Sequence, residues 1–206
     1  MVFNMRTDQF GRSMVEMLGV LAIIGVLSVG SIAGYQKAIT KHRLNKQAEN
    51  FNLLLSNALQ LSVSLNKSSS YVFYNEMLYK TKFLPDGIVY KKEQGYNSPD
   101  QLQDNLGNQI RFFSLNNVFY LSFLLNNTSH SADICKNIIT TVKEHSSNIK
   151  RLLREDTQGG SYKSVSIWSD CSKGTCFKNL TLTDISNMCK ISDVGNANYL
   201  FGITWD

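Results

Sequence analysis

The strongest constraint on the fold is an uncharged apolar run near the start of the chain. Residues 17–34 read MLGVLAIIGVLSVGSIAG, eighteen residues without a charged side chain. As an α-helix with a rise of ~1.5 Å per residue, the run would be about 27 Å long, close to the ~30 Å hydrocarbon core of a bilayer. A basic flank of Lys37, Lys41, His42 and Arg43 follows it. We therefore expect this segment to meet lipid.

Three interpretations of the run compete. A cleavable secretory signal needs a small-x-small cleavage site, which Ser31-Ile32-Ala33 would supply. An ordinary membrane anchor is the second interpretation, because glycines are common in spanning helices. Neither accounts for Glu16, which stands one residue before the run and has the apolar Met14 and Val15 ahead of it. The third interpretation gives this carboxylate a function in assembly.

A glutamate at this position needs a cationic partner. An ionised side chain inside the hydrocarbon costs about 2.5–3.5 kcal/mol on insertion scales, so an intramembrane glutamate indicates a function. Arg12, four residues earlier, would lie on the same helical face. A more specific partner arises if the chain is cut just before Arg12, because the new α-amino group is a cation that can pair with Glu16 of a neighbouring chain.

The residues around this glutamate resemble a known family. Residues 11–25, GRSMVEMLGVLAIIG, look like the leader junction and first helix of type IV pilins and of the pseudopilins of type II secretion. That pattern has a short leader ending in glycine, a hydrophobic helix directly after it and glutamate at the fifth mature position, and here Gly11 and Glu16 occupy those places. The resemblance, specific over about residues 11–40, implies that a membrane-embedded prepilin peptidase cuts between Gly11 and Arg12 and methylates the new amino terminus.

The chain departs from the family pattern in two ways. The first mature residue would be Arg12, where the family usually has Phe, Met or Leu. Many type IVa pilins also carry a proline within the membrane helix, and without one no ring clash kinks this helix. Gly25 and Gly30 are weaker points, since each costs up to about 1 kcal/mol relative to alanine in a water-exposed helix. We hypothesise that they let the helix melt locally when it packs into a filament.

The helical pattern continues beyond the run as an amphipathic helix. Apolar residues recur at three- and four-residue intervals, and no proline or glycine interrupts residues 35–65. These apolar residues are Leu44, Ala48, Phe51, Leu54, Leu55, Ala58, Leu61 and Leu65. We predict one helix from about Ser13 to Leu65, roughly 80 Å long. Its first half would lie in lipid or in a filament core, and its second half would pack on a globular head.

The remaining chain predicts a mixed head that begins after a polar break at residues 66–70. Tyr71 to Phe83 is predicted as a helix, followed by a turn and a loop-rich stretch through Asn108. Ile110–Leu115 and Val118–Leu124 flank Asn116-Asn117, a two-residue connection typical of a β-hairpin.

Further elements follow the hairpin. Ser131 to Val142 is predicted as a helix, and a polar stretch then extends to Tyr162. Later strands are predicted at 164–168, 180–183 and 199–204. Strands after a long helix favour an α+β fold, in which the long N-terminal helix, part membrane-spanning and part amphipathic, packs on one face of an antiparallel sheet. The predicted parts are a leader at 1–11, a transmembrane or filament-core helix at 12–35, its amphipathic continuation at 36–66 and a globular head at 67–206.

Four cysteines lie in the head, and export makes structural disulfides the favoured state. Four cysteines allow three pairings, and the sequence alone does not choose among them. We favour Cys171 with Cys176, across a loop that Gly174 can turn, and Cys135 with Cys189. The longer bridge would also match the C-terminal disulfide region of type IVb pilins.

The sequence predicts neither catalysis nor a cofactor. The cysteine spacing is poor for zinc, and the three histidines, at positions 42, 130 and 145, are scattered. His130 lies near Ser129 and Asp133, but such neighbours on a polar turn are typical of a solvated loop. The net charge of +5 is spread along the chain without a Lys/Arg block, so no specific nucleic-acid partner is predicted.

The resemblance implies a type IVb-like pilus subunit that is not an enzyme. Such a subunit is a single-pass inner-membrane precursor with a periplasmic head, held in lipid until the pilus assembly machinery adds it to a homo-oligomeric surface filament. Filaments of this class serve adhesion, aggregation, motility or transfer of DNA or protein. Glu16 would set axial register, and Gly30 and Gly34 would permit close helix approach. The alternatives are a type II secretion pseudopilin and a periplasmic binding or adhesive module on an uncut anchor.

Overall fold

The computed structural model describes residues 14–92, 100–126, 128–158, 161–190 and 199–206. The chain forms two compact units, one that ends at His42 and one that runs from Arg43 to Asp206. The described part of the first unit is helical, and the second unit contains a sheet with further helices.

The first helix, α1 (Met14–Ser62), is 49 residues long. One helix therefore covers both the uncharged run and the amphipathic stretch, as predicted. No proline lies in it, and its glycines are confined to the apolar part. In the first unit, every residue from Met14 to Ala38 is exposed.

In the second unit, α1 buries one stripe of side chains. Phe51, Leu54, Leu55, Ala58 and Leu61 are all buried, with separations of one, three and four residues. This spacing keeps them on one helical face, as the period of 3.6 residues requires. The stripe supplies one side of the hydrophobic core of the head.

The other side of the core is an antiparallel sheet. Its strands are β1 (Val72–Phe73), β2 (Ile88–Lys91), β3 (Gln101–Asp104), β4 (Gln109–Leu115), β5 (Val118–Leu125), β6 (Arg151–Gln158), β7 (Ser161–Trp168) and β8 (Tyr199–Trp205). The order of pairing is β2-β3-β4-β5-β8-β6-β7, and β1 pairs with β4. The last strand of the chain thus lies inside the sheet, between β5 and β6. The head has the predicted α+β architecture, a helix packed on an antiparallel sheet.

Three shorter helices accompany the sheet. They are α2 (Asn75–Lys80), α3 (Ser131–Glu144) and α4 (Leu182–Met188). The predicted helix over Ser131 to Val142 is confirmed, and its buried residues include Ile134, Ile138 and Val142.

The β4–β5 hairpin confirms the strongest turn signal in the sequence. Asn116 and Asn117 connect the strands with φ values of 52° and 59°. Both values lie in the left-handed region that a type I′ turn requires and that asparagine tolerates better than most residues. The alternating burial along β4 and β5 places one row of side chains in the core and the other on the opposite face.

Two contacts join α1 to the middle of the sheet. The ring of Phe51 meets that of Phe123 on β5 edge to face, with centroids 5.7 Å apart. The indole Nε1 of Trp205 on β8 donates a hydrogen bond to Ser62 Oγ at 2.9 Å. This bond gives the buried indole N–H and the buried serine oxygen a partner. The C-terminal strand and the end of α1 are therefore fixed to each other.

The helix predicted over Tyr71 to Phe83 is much shorter in the structure. Val72 and Phe73 pair with β4 instead, and α2 begins only at Asn75. The side chain of Asn75 accepts a hydrogen bond from Phe112 N at 2.7 Å and donates one to the carbonyl oxygen of Asp100. These tertiary bonds hold the start of the segment against the sheet, which local propensity could not indicate.

The strand predicted at 180–183 is wrong, because Thr181 caps the helix α4. Thr181 Oγ1 accepts from Asp184 N at 3.2 Å, and Asp184 Oδ2 accepts from Thr181 N at 2.9 Å. This reciprocal pair is a capping box. The hydrogen bonds from Thr181 lower the pKa of the Asp184 carboxyl. The Thr-x-x-Asp spacing is the sequence signal that indicates a helix start here.

The polar stretch predicted between α3 and Tyr162 contains a strand that sequence reasoning missed. Arg151–Gln158 forms β6, which pairs with both β7 and β8. Arg154 is buried there, forms an ion pair with Asp156 at 2.7 Å and lies over the ring of Tyr199. The charged side chains of this segment, two of which pair with each other inside the fold, hid the alternation of buried and exposed residues. Strands β2 and β3 were likewise missed within the loop-rich stretch.

Two disulfides close the C-terminal part of the head. Cys135 on α3 is bonded to Cys189 at the end of α4, with 54 residues of sequence separation. Cys171 is bonded to Cys176 across the loop that contains Gly174, whose φ is +120°. The longer bridge is fully buried, so it ties α4 to the core through α3.

Replacing Cys135 and Cys189 together by alanine is expected to lower the free energy of unfolding of the head by about 4 kcal/mol, because the unfolded chain loses a long loop constraint. The matched control replaces Cys171 and Cys176, whose short loop predicts a loss of about 2 kcal/mol. Unfolding followed by near-ultraviolet circular dichroism in detergent measures both. An equal or larger loss in the control would contradict this ranking.

Gly87 is required by the packing of Asn50. A Cβ at residue 87 would overlap the buried side chain of Asn50 on α1. We therefore expect Gly87→Ala to destabilise the head by about 1–3 kcal/mol through overpacking. The same substitution in an Asn50→Ala background should cost much less, and a double-mutant cycle of unfolding free energies measures the difference. Additive effects would show that the two residues do not compete for this space.

Candidate functional site

The candidate site is the exposed apolar part of α1. Among the described residues, α1 is the one helix long and apolar enough to cross a bilayer, and no residue of its most apolar window is buried within the protein. Large side chains on every face are more than half exposed, including Leu18 at 63%, Ile23 at 62% and Val29 at 71%. A soluble helix buries one apolar stripe, whereas a helix that is apolar all round requires lipid or packed neighbours. This segment has unpartnered apolar surface on all sides.

The two serines inside the run do not interrupt its apolar character. Ser28 Oγ donates to Ile24 O and Ser31 Oγ donates to Leu27 O, each at 2.7 Å. A hydroxyl that is satisfied by the carbonyl one turn earlier leaves no free donor to be desolvated. The serines are therefore compatible with an apolar environment.

Glu16 is the acidic residue of the first turn of α1, and it is exposed. Within the described part of the chain it forms no ion pair, and the basic residues Lys37 and Lys41 stand 21 and 25 residues further along the helix. Gly11 and Arg12, the predicted processing residues, lie outside the described residues. The structure thus presents a carboxylate at the edge of the apolar surface without a cation from the rest of α1.

The predicted small residues share the helical face of this carboxylate. Gly34 lies eighteen residues after Glu16, which is five full turns at 3.6 residues per turn. Gly30 is one turn before Gly34. A Cβ built on either glycine would have nothing within 4 Å, so the backbone there is open to close approach. The carboxylate and the two glycines lie on one face of the helix, and Gly25, which is equally open, lies on the opposite face.

The polar groups of the head with lowered pKa values cap short helices. Among the described residues, no group of three or more His, Cys, Asp or Glu side chains could hold a metal ion. Ser172 N donates to the carboxyl of Asp170, which caps a short 3-10 helix, and this lowers the pKa of Asp170. Asp170 is exposed and Asp184 is half-buried, and both carboxyls are hydrogen-bonded locally, so the lowered pKa of each reflects capping.

Sequence reasoning missed a row of aromatic rings on the sheet face opposite the core. Phe73, Phe113 and Tyr120 are cross-strand neighbours on β1, β4 and β5. The ring centroids of Phe113 and Tyr120 are 5.0 Å apart, and Tyr71 packs beside them. Period-two alternation showed which residues share a face, but only the strand register shows which of them touch.

No protein-family model matches the chain, and no curated protein matches it. Among solved structures, the chain is similar to the crystal structure of a type IVb pilin from Salmonella typhi, with 16% sequence identity and a TM-score of 0.46. The match covers 76% of this chain and 97% of that chain.

Proposed function

We propose that this chain is a structural subunit of a type IVb-like pilus, which assembles through the apolar part of α1 into a surface filament. The observation that carries the proposal is a helix with apolar side chains exposed on every side and a carboxylate at its start. An uncut membrane anchor accounts for the apolar surface but not for the carboxylate. A filament subunit accounts for both, because the helix exchanges lipid for neighbouring helices of the same kind.

Processing would create the cation that Glu16 needs. A prepilin peptidase would cut between Gly11 and Arg12 and methylate the new α-amino group, which remains positively charged. In the growing filament, this amine would pair with Glu16 of a neighbouring subunit. A charge pair in an apolar environment is weakly screened and strongly distance-dependent, so it would set the axial register of each added subunit.

Close helix contact would follow from the glycines on the same face. Gly30 and Gly34 have the small-xxx-small spacing that lets helix backbones approach in membranes. The precursor would span the inner membrane once over residues 12–35, with residues 36–66 continuing the helix and the head of residues 67–206 in the periplasm. The assembly machinery would then move the subunit from lipid into the filament, whose use in adhesion, motility or transfer depends on the head.

Charges placed on the apolar surface are expected to release the precursor from the bilayer. Each lysine at the centre of a spanning helix costs about 2.5–3.5 kcal/mol, so Ile23→Lys combined with Val26→Lys should shift the chain into the soluble fraction on alkaline extraction. The matched control is Leu53→Lys, an exposed position on α1 outside the run. Retention of the double variant together with the control would contradict the membrane placement.

Glu16→Val is expected to leave the subunit in the membrane but to abolish or strongly slow filament assembly, because the neighbouring amine then lacks its counter-charge. The matched control is Glu49→Val, which removes an exposed carboxylate of α1 that pairs with Lys46. Electron microscopy of sheared filaments, with membrane fractions probed in parallel, measures both outcomes. Normal filaments from Glu16→Val would refute the pairing. Processed subunits whose filaments stay in the periplasm would indicate a secretion pseudopilin instead.

A further inference from the structure

A small cavity opens on the outer face of the sheet, the face opposite the core. It has a volume of about 60 Å³ and is lined by Gln109, Arg111, Ser122, Leu124 and Leu200. Strand register brings these residues together: Arg111 is opposite Ser122, Gln109 is opposite Leu124, and Leu124 is opposite Leu200. The lining therefore comes from three adjacent strands, β4, β5 and β8, which form a rigid base.

Arg111 is a cation without a counter-charge in this cavity. Its Nε atom is buried from solvent and has no hydrogen-bond partner, and within the described residues its guanidinium forms no ion pair. Glu155 lies on the same face, opposite Leu200, but makes no ion pair with Arg111. A buried donor that is left unsatisfied is unfavourable, so the site gains free energy when an acceptor enters it.

We propose that Arg111, Ser122 and Gln109 form a binding site for a carboxylate. The guanidinium offers only donors, in a planar fork that matches the two oxygens of a carboxylate. The serine hydroxyl and the glutamine amide can add further donors. A single cation in the lining suits a group with one negative charge, and the apolar walls of Leu124 and Leu200 suit a carboxylate attached to a carbon skeleton.

The bound carboxylate group can belong to either of two molecules. One is a free organic acid that binds to the head, and the other is an acidic side chain of a second copy of this chain. The site goes beyond the proposed filament and does not depend on the N-terminal helix. A negative result at this site would therefore leave the filament proposal unaffected.

The test uses the full chain in a non-ionic detergent, labelled with nitrogen-15, and follows the Nε–H resonance of Arg111. Sodium propionate is added at constant ionic strength, with sodium chloride as the control for screening. We expect a saturable shift of this resonance with propionate and none with chloride. In a second arm, the protein is concentrated without propionate. If the Arg111 Nε–H resonance shifts on concentration and added propionate reverses that shift, the carboxylate comes from a neighbouring copy of the chain.

Two variants distinguish the planar geometry of the Arg111 guanidinium from its positive charge. Arg111→Lys keeps the positive charge but loses the planar fork, and we expect it to weaken propionate binding at least tenfold, as followed by the amide resonances of Ser122 and Leu124. Arg151→Lys, on the same face but outside the lining, should leave the affinity unchanged within twofold. The proposal is overturned if neither arm shifts the Arg111 resonance, or if Arg111→Lys binds propionate as well as the unaltered protein.

Discussion

The carboxylate of Glu16 must be neutralised before the apolar part of α1 can lie in hydrocarbon or among packed helices. It stands at the first turn of a helix whose other side chains, through Gly34, are uncharged. A charge at such a boundary is expensive unless a cation lies beside it. Among the described residues of the same chain, no ion pair of Glu16 is formed and the nearest basic side chain of α1 is Lys37, so the cation that the pairing proposal requires lies outside those residues. In the proposed function, this requirement would link proteolytic processing to assembly.

The two parts of α1 share a helical conformation but differ in how their apolar side chains are covered. In the second unit, side chains such as Phe51 and Leu54 form one stripe, which is buried against the sheet and stabilises the head by hydrophobic burial. In the first unit, apolar residues surround the axis, and none of the residues that the structure describes buries them. The head buries its own core, whereas the apolar surface of the first unit needs lipid or packed apolar neighbours to cover it. Such a division is what a subunit needs if it must be stable both before and after assembly.

Local periodicity predicted the elements whose burial follows a simple pattern. The stripe of α1, the Asn116-Asn117 hairpin and α3 were all recognisable because their spacing or turn chemistry is independent of distant residues. The elements that were missed depend on tertiary partners. Strand β6 contains Arg154, whose charge is satisfied inside the fold, and the start of α2 is fixed by hydrogen bonds of Asn75 to other segments.

The candidate functional features also divide into those that the sequence reveals and those that depend on the fold. The uncharged run and Glu16 are visible in the sequence because both are contained in a short stretch of consecutive residues. The cavity at Arg111 is not visible, because β8, which supplies Leu200 beside the β4–β5 hairpin, lies about 75 residues further along the chain. Register between distant strands is set by the whole fold, so no short window of sequence contains that information.

Mass spectrometry of the amino terminus of the protein purified from its native membrane tests the central claim most directly. The account predicts a chain that begins at Arg12 and carries a methyl group on its α-amino nitrogen. A chain that begins at Met1 would show an uncut anchor, and one that begins at Gly34 would show a removed secretory signal. Either of those results would contradict the pairing of Glu16 with a processed amino terminus.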